Sequence, residues 1–275
     1  MLLRSIHTYP VKGCHRLDHD DAVVQPWGLA GDRRWMVVDA DGVGVTQRET
    51  TRLVGLHVTV RPGGLTLRAD GQPDLDVSEP ADVAPVVVRT FRSRKLPVSA
   101  LPAGPAADDW LGSLLGRPVR LVWLARPSRH LAVGATEAGE RDTGDQVSFA
   151  DAYPLLLANT ASLHALNDWL AEAGEEPVPM SRFRPNFVVD GASAWAEDDW
   201  VDRPLRIGDL SFRAAGPCDR CVVTTTDQET GVRTREPLRT LGRHRNVKQK
   251  LLFGLNLVPL DTGQLTVGAP VLIEP

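Results

Sequence analysis

The chain has 275 residues, 42% hydrophobic and 24% charged, enough to bury a core in one large domain or two modest ones. Its formal net charge of −4 provides no overall field toward phosphate backbones, which argues against a nucleic-acid partner, and no run approaches the roughly 20 apolar residues of a bilayer span. Three cysteines cannot build a disulfide framework and the N-terminus lacks the apolar core of a signal peptide, so a cytoplasmic, reducing setting away from membranes is expected.

Residues 2–8 read as a strand that turns at Tyr9-Pro10-Val11-Lys12-Gly13. Asp39-Ala40-Asp41-Gly42 is a hairpin signal between Trp35–Val38 and a returning Val43–Thr46. Val54–Val60, Leu65–Arg68 and Val86–Val88 continue the pattern between Gly/Pro turns. This spacing predicts a β-barrel-like first domain over residues 1–105, ending where Leu101–Ala107 becomes rich in Pro, Ala and Gly. A second domain, 106–275, opens on a short helix around Asp108–Gly116 and a strand at Val119–Leu124. Gly134–Gly144 reads as a mobile polar loop, and Ala161–Ala173 as a helix capped by Asn159 or Thr160. Strands are expected at Phe187–Val189, Leu205–Ile207, Leu210–Arg213, Val222–Thr226 and Val271–Ile273. Two helices against many strands predict a β-rich α+β fold.

Three constellations carry chemistry. Cys218-Asp219-Arg220-Cys221 precedes a β-branched run, so its cysteines are expected on the turn feeding a strand. A structural zinc site needs about four ligands, and a second pair is missing. A thioredoxin-like dithiol would precede a helix. Burial of both cysteines as small hydrophobes stays open. Arg220 beside Cys221 favours the thiolate, the form that ligates a soft metal or attacks an electrophile. In Arg182-Phe183-Arg184-Pro185-Asn186, Pro185 stiffens the backbone, so Arg184 and Asn186 offer a planar fork and an amide to a phosphorylated heterocycle. The competing reading pairs Arg184 with Glu197-Asp198-Asp199. Lys12 and Arg33 lie near glycines, where a ligand can approach the backbone. Walker, GxGxxG, HExxH and GxSxG patterns are absent, which removes support for the corresponding enzyme classes.

Read together, these segments resemble the MOSC family, in the two-part form that couples an N-terminal MOSC β-barrel domain to a MOSC domain, as in amidoxime-reducing components. The likeness rests on Tyr9–Cys14, Gly28–Val38, Thr46-Gln47-Arg48, Phe149–Pro154, Phe183–Asn186, Ala196–Trp200, Pro217–Cys221 with Thr224-Thr225, Thr230-Gly231 and Glu236-Pro237-Leu238. The resemblance implies a molybdenum cofactor whose metal takes the Cys221 thiolate. It implies cofactor contacts from Lys12, Gly13, Arg33, Arg184, Asn186 and Cys218, with Asp219 and Arg220 beside the metal, and a pterin phosphate near Asn159, Thr160 and Ser162. Gly13 stands where some relatives carry serine. The implied activity is reduction of N-hydroxylated small molecules. Because no iron–sulfur extension follows Pro275, electrons are expected from separate partners such as a ferredoxin, a flavin reductase or a cytochrome b5-like protein. The alternatives are a carrier of the cofactor or of a Cys221 persulfide, and a non-catalytic binding module with a degenerate pocket.

Overall fold

The computed structural model describes residues 1–90, 97–127, 129–136 and 139–274. Its largest sheet is built around the ten-residue strand Lys250–Pro259. In order of hydrogen-bonded neighbours the sheet runs Leu17–His19, Leu2–Thr8, Phe187–Asp190, Leu155–Asn159, Lys250–Pro259, Leu210–Asp219, Pro204–Ile207 and Val271–Ile273, with Asn246–Val247 paired to the central strand as a hairpin. Neighbours are antiparallel except Leu155–Asn159 and Phe187–Asp190, which are parallel and therefore need a crossover, supplied by the helix Thr160–Glu172. An isolated Leu2–Pro270 bridge and the bond from Leu3 N to Ala269 O (2.9 Å) bring the strand Leu2–Thr8 against the segment leading into Val271–Ile273 without closing the ladder. Leu3, Ile6, Leu157, Phe187, Phe212 and Leu255 fill the interior that results.

A second core forms between smaller sheets. Trp35–Val38, Arg120–Trp123, Val98–Pro102 and Val86–Val88 make one; His57–Arg61, Gly64–Arg68 and Leu75–Ser78 make another. The helix Pro105–Leu115 packs on these through Trp110, Leu111 and Leu115, and ends at Gly116 in the left-handed conformation. A third layer places the helices Thr160–Glu172 and Leu238–His244 over Phe183 and Phe253. The fold is strand-rich, as expected, with three α-helices rather than two among the described residues, Leu238–His244 being the addition.

The expected division at residue 105 does not coincide with a break in packing. Pro105–Leu115 and Arg120–Trp123 belong to the N-terminal core, while Leu2–Thr8 pairs with Phe187–Asp190 and Asp21–Gln25 with Gly263–Thr266. Three local expectations change. Val222–Thr225 is a 3-10 turn rather than a strand, because the Thr224 hydroxyl donates to Cys221 O (3.0 Å) and the Thr225 hydroxyl to Val222 O (2.8 Å), local bonds that compete with a ladder. Val43 and Gly44 make only isolated bridges. The expected loop at 134–144 overlaps the antiparallel pair Arg129–Thr136 and Gly139–Val147, with 137–138 outside the described residues.

Candidate functional site

Segments from both halves of the chain converge on one cleft, lined among others by Lys12, Gly13, Arg33, Arg48, Asp151, Arg184, Asn186, Cys218, Asp219, Arg220 and Cys221. The first strand delivers Lys12: a bridge from Val11 to Trp35 and the bond from Lys12 N to Trp35 O (2.8 Å) pin the turn. Gly13 sits at φ +87°, and a Cβ there would meet Leu53 Cδ1 at 3.1 Å, so the turn selects glycine. Arg33 and Arg184 are both non-glycine residues in the left-handed region, at φ 49° and 54°, which re-aims each side chain toward the cleft.

Tyr9 lies between these two arginines. Its ring is 4.8 Å from the Arg33 guanidinium carbon and 4.0 Å from that of Arg184, and its hydroxyl donates to Pro185 O at 3.1 Å. Burial pushes the Tyr9 phenol up to about 12 against the pull of the arginines, so it stays neutral between two cations. Asn186, fully buried, accepts from Arg33 Nη1 (3.1 Å) and Leu156 N (3.2 Å) and donates to His7 O and Asp32 Oδ2, both at 3.1 Å. Arg33 also pairs with Asp32, whereas Arg184 Nη1 donates to Cys14 O (2.9 Å) and Gln228 Oε1 (2.8 Å). The competing expectation for Arg184 is thereby corrected: Asp198 is held by Arg245.

The two cysteines sit at the end of a strand, not at the start of one. Cys218 and Asp219 close the strand Leu210–Asp219, and Cys221 caps the following 3-10 turn. Arg220 Nη1 donates to Cys218 Sγ (3.0 Å) and its Nη2 to Phe183 O (2.6 Å), while Arg48 Nη2 lies 3.4 Å from Cys221 Sγ. The expected pairing of Arg220 with Cys221 is therefore corrected. All three residues line the cleft, but the Arg220 guanidinium is committed to Cys218 Sγ and Phe183 O, and the cation at Cys221 Sγ comes from Arg48. Asp219 Oδ1 accepts from Leu251 N (3.1 Å), which ties this rim to the central strand.

Asp151 joins the cations across the cleft. One oxygen meets Lys12 and the other Arg48 Nη2 at 2.7 Å, and Lys12 Nζ also donates to Phe149 O at 2.7 Å. Burial alone would raise the Asp151 pKa, but Lys12 and Arg48 outweigh it and hold the carboxyl far below its ordinary range. Neither Arg48 nor Asp151 was singled out from the residues; both lie in Thr46-Gln47-Arg48 and Phe149-Ala150-Asp151, segments that carried the family likeness. Asn159, Thr160 and Ser162 lie outside this cleft. Asn159 Oδ1 accepts from Ala161 N (3.1 Å) as a helix cap, Ser162 Oγ donates to Glu197 Oε2 (2.9 Å), and Thr160 Oγ1 donates to Val189 O (3.0 Å). Cys14 is buried in the N-terminal core, its thiol pushed up by burial to about 11. No group of three or more His, Cys, Asp or Glu arranged to hold a metal occurs among the described residues, so a conventional zinc cage is not present there.

The cleft thus combines two half-buried cysteines, several guanidiniums and walls from two strand-rich halves of the chain. A profile described as the MOSC N-terminal beta barrel domain covers residues 1–118, and one described as the MOSC domain covers 144–272. The chain belongs to the MOSC family. It is 34% identical over 284 residues to the human mitochondrial amidoxime-reducing component 1, spanning 96% of this chain and 80% of that protein. The mitochondrial amidoxime reducing component 2 of Bos taurus is 33% identical over 277 residues, with the same two coverages. The molybdenum cofactor sulfurase of Oryza sativa subsp. japonica is 29% identical over 93% of this chain, which corresponds to 32% of that longer protein. No helix among the described residues is long and apolar enough to cross a membrane.

Proposed function

We propose that the chain binds a molybdenum cofactor in this cleft and reduces N-hydroxylated small molecules with electrons from a separate redox protein. The observation that carries the reading is Cys221 Sγ, at the wall of a cationic cleft and 3.4 Å from Arg48 Nη2. The residues fit such a group. The Cys221 sulfur suits a soft metal whose remaining ligands come from elsewhere, with Cys218 Sγ already held by Arg220, and Arg33 and Arg184 supply fixed positive charge for an anionic heterocycle. Arg220 Nε is buried without a hydrogen-bond partner, a donor on the cleft wall that a ligand would satisfy. Bound there, the group supplies the two-electron redox and oxygen-atom chemistry.

The balance for an amidoxime is simple. Two electrons and two protons enter, the N–O bond breaks, and an amidine and water leave. The chain's own residues position rather than protonate. Asp151, ionised between Lys12 and Arg48, has no proton to give near neutral pH and serves instead to hold Arg48 against Cys221. Tyr9 and Asn186 fix the two arginines, so little reorganisation accompanies binding.

The test is metal and pterin analysis of protein made in a cofactor-competent host, wild type against Cys221→Ser. The expected outcome is near one molybdenum per wild-type chain, with loss of amidoxime reduction and of most metal in the variant. Full reductase activity in Cys221→Ser would sink the reading. A persulfide mass shift on Cys221 in metal-free protein would favour the carrier role.

A further inference from the structure

The hairpin Asn246–Val247 and Lys250, with the helix Leu238–His244 before it, concentrates charge of one sign. Residues 239–250 contain Arg239, Arg243, Arg245, Lys248 and Lys250 and no acid, in a chain of net charge −4. Arg239 pairs with Glu175 and Arg245 with Asp198, which leaves Arg243, Lys248 and Lys250 as the exposed cations of the segment. Arg243 also complements the dipole at its helix C-terminus, so the burden of explanation falls on the two lysines. Lys248 lies in, and Lys250 directly follows, a two-residue turn in which Lys248 and Gln249 both adopt positive φ, 48° and 65°. Such turns favour Asn-Gly, and long side chains there carry a strain cost. Val247 beside them is 51% exposed, giving the tip an apolar spot inside a basic rim.

The position of this tip makes it more than a charged edge. Its return strand runs along the cleft wall: Asp219 pairs with Leu252, and Arg220 N donates to Leu251 O at 2.8 Å. From Leu251 the route to Cys221 is one hydrogen bond and one peptide link. Val222, on the far side of Cys221, is itself 36% exposed, so this cysteine's backbone lies just beneath the surface that the hairpin borders.

We infer that the 243–250 hairpin is the docking surface for an acidic one-electron carrier protein, which delivers electrons through Leu251 and Arg220 to the Cys221 end of the cleft. The inference rests on the reductase reading above. Opposite charge would steer encounter, and the apolar tip would set register.

The experiment uses the metal-loaded full chain, an aryl amidoxime as substrate, and two reductants: a reduced acidic two-iron ferredoxin as the protein probe, and dithionite, which needs no docking. Lys248→Glu/Lys250→Glu is compared with Arg4→Glu/Arg126→Glu, which changes net charge equally from exposed sites elsewhere. At low salt the hairpin variant is expected to raise the ferredoxin KM on the order of tenfold, with the gap closing toward 1 M salt as the Debye length shrinks to about 3 Å, and with dithionite-driven turnover unchanged. An unchanged ferredoxin KM, or equal losses in both double variants, overturns the docking site. Absence of dithionite-driven turnover in the wild type overturns the reductase reading instead. Calorimetric binding of the same ferredoxin then still reads docking without turnover: weakening confined to the hairpin variant supports the surface, and equal binding by all three proteins overturns it. Binding of anionic vesicles that the hairpin variant abolishes, with no ferredoxin binding, also overturns it.

Discussion

Asp151 accepts from two cations whose side chains arrive from different turns of the N-terminal half, Lys12 and Arg48, and it thereby fixes the charge beside Cys221. Removing its charge takes away the carboxylate that these two cations share. Asp151→Asn is expected to cost on the order of 3 kcal/mol at pH 7, read by urea unfolding. The sign with pH follows from its depressed native pKa: the stabilisation is full above the ordinary value of 3.8 and is lost as pH falls below it. The gap between wild type and Asp151→Asn should therefore narrow below about pH 4. A gap that widened on acidification would contradict the assignment. The same network separates the arginines. Arg48→Met should reduce molybdenum content more than Arg220→Met, whose sulfur partner is Cys218; metal analysis of both variants decides.

At the scale of the element, the central strand must bend past its neighbour to carry this rim. Gly254 sits at φ +80° with the position of a Cβ only 2.7 Å from Leu157 O, so no side chain fits without shifting one of two buried strands. Gly254→Ala is expected to destabilise by about 2 kcal/mol or more, measured by thermal or urea unfolding, since strain and contact add. The helix Thr160–Glu172 makes the opposite case. Asn159 caps it and also donates to Ser193 O and Glu197 Oε2, at 2.8 and 3.1 Å. Asn159→Ala should cost about 1–2 kcal/mol of stability and leave metal content unchanged, because these bonds are architectural. Loss of metal without loss of stability would return this loop to the cofactor.

For the whole molecule, the cleft exists only where the two halves meet. Gln47 and Gln228 exchange reciprocal amide bonds of 3.0 Å, Arg184 reaches Cys14 O, and Lys12 reaches Asp151. The first strand, moreover, is an internal member of the sheet that carries Cys218 and Asp219. The chain is therefore expected to unfold in one cooperative transition, with far-UV and tryptophan signals coincident. A fragment beginning near residue 119 should neither fold cooperatively nor retain metal. Two resolved transitions would show that the halves are independent.

Much of this was legible from the residues. Short strands punctuated by Gly and Pro marked a β-rich chain, and Asn159 before an apolar period marked the Thr160–Glu172 helix within a residue or two. Ordered motifs marked the family and brought Lys12, Arg33, Arg184, Asn186, Cys218 and Cys221 forward, all of which line one cleft. What escaped has a common cause. Leu155–Asn159 is buried on both faces and Lys250–Pro259 along most of its length, so neither shows the alternation that betrays a half-exposed strand. The fusion of the N-terminal strand into the C-terminal sheet joins segments some 180 residues apart, which no local pattern reports. The partner of Cys221 is the sharpest instance. Adjacency in sequence points to Arg220, but its guanidinium is taken up by Cys218 Sγ and Phe183 O, and only tertiary packing brings Arg48 across 173 positions to the Cys221 sulfur. The residue types were enough to specify which chemistry the chain could hold; which cation serves which sulfur depended on contacts between distant segments, and those exist only in the folded chain.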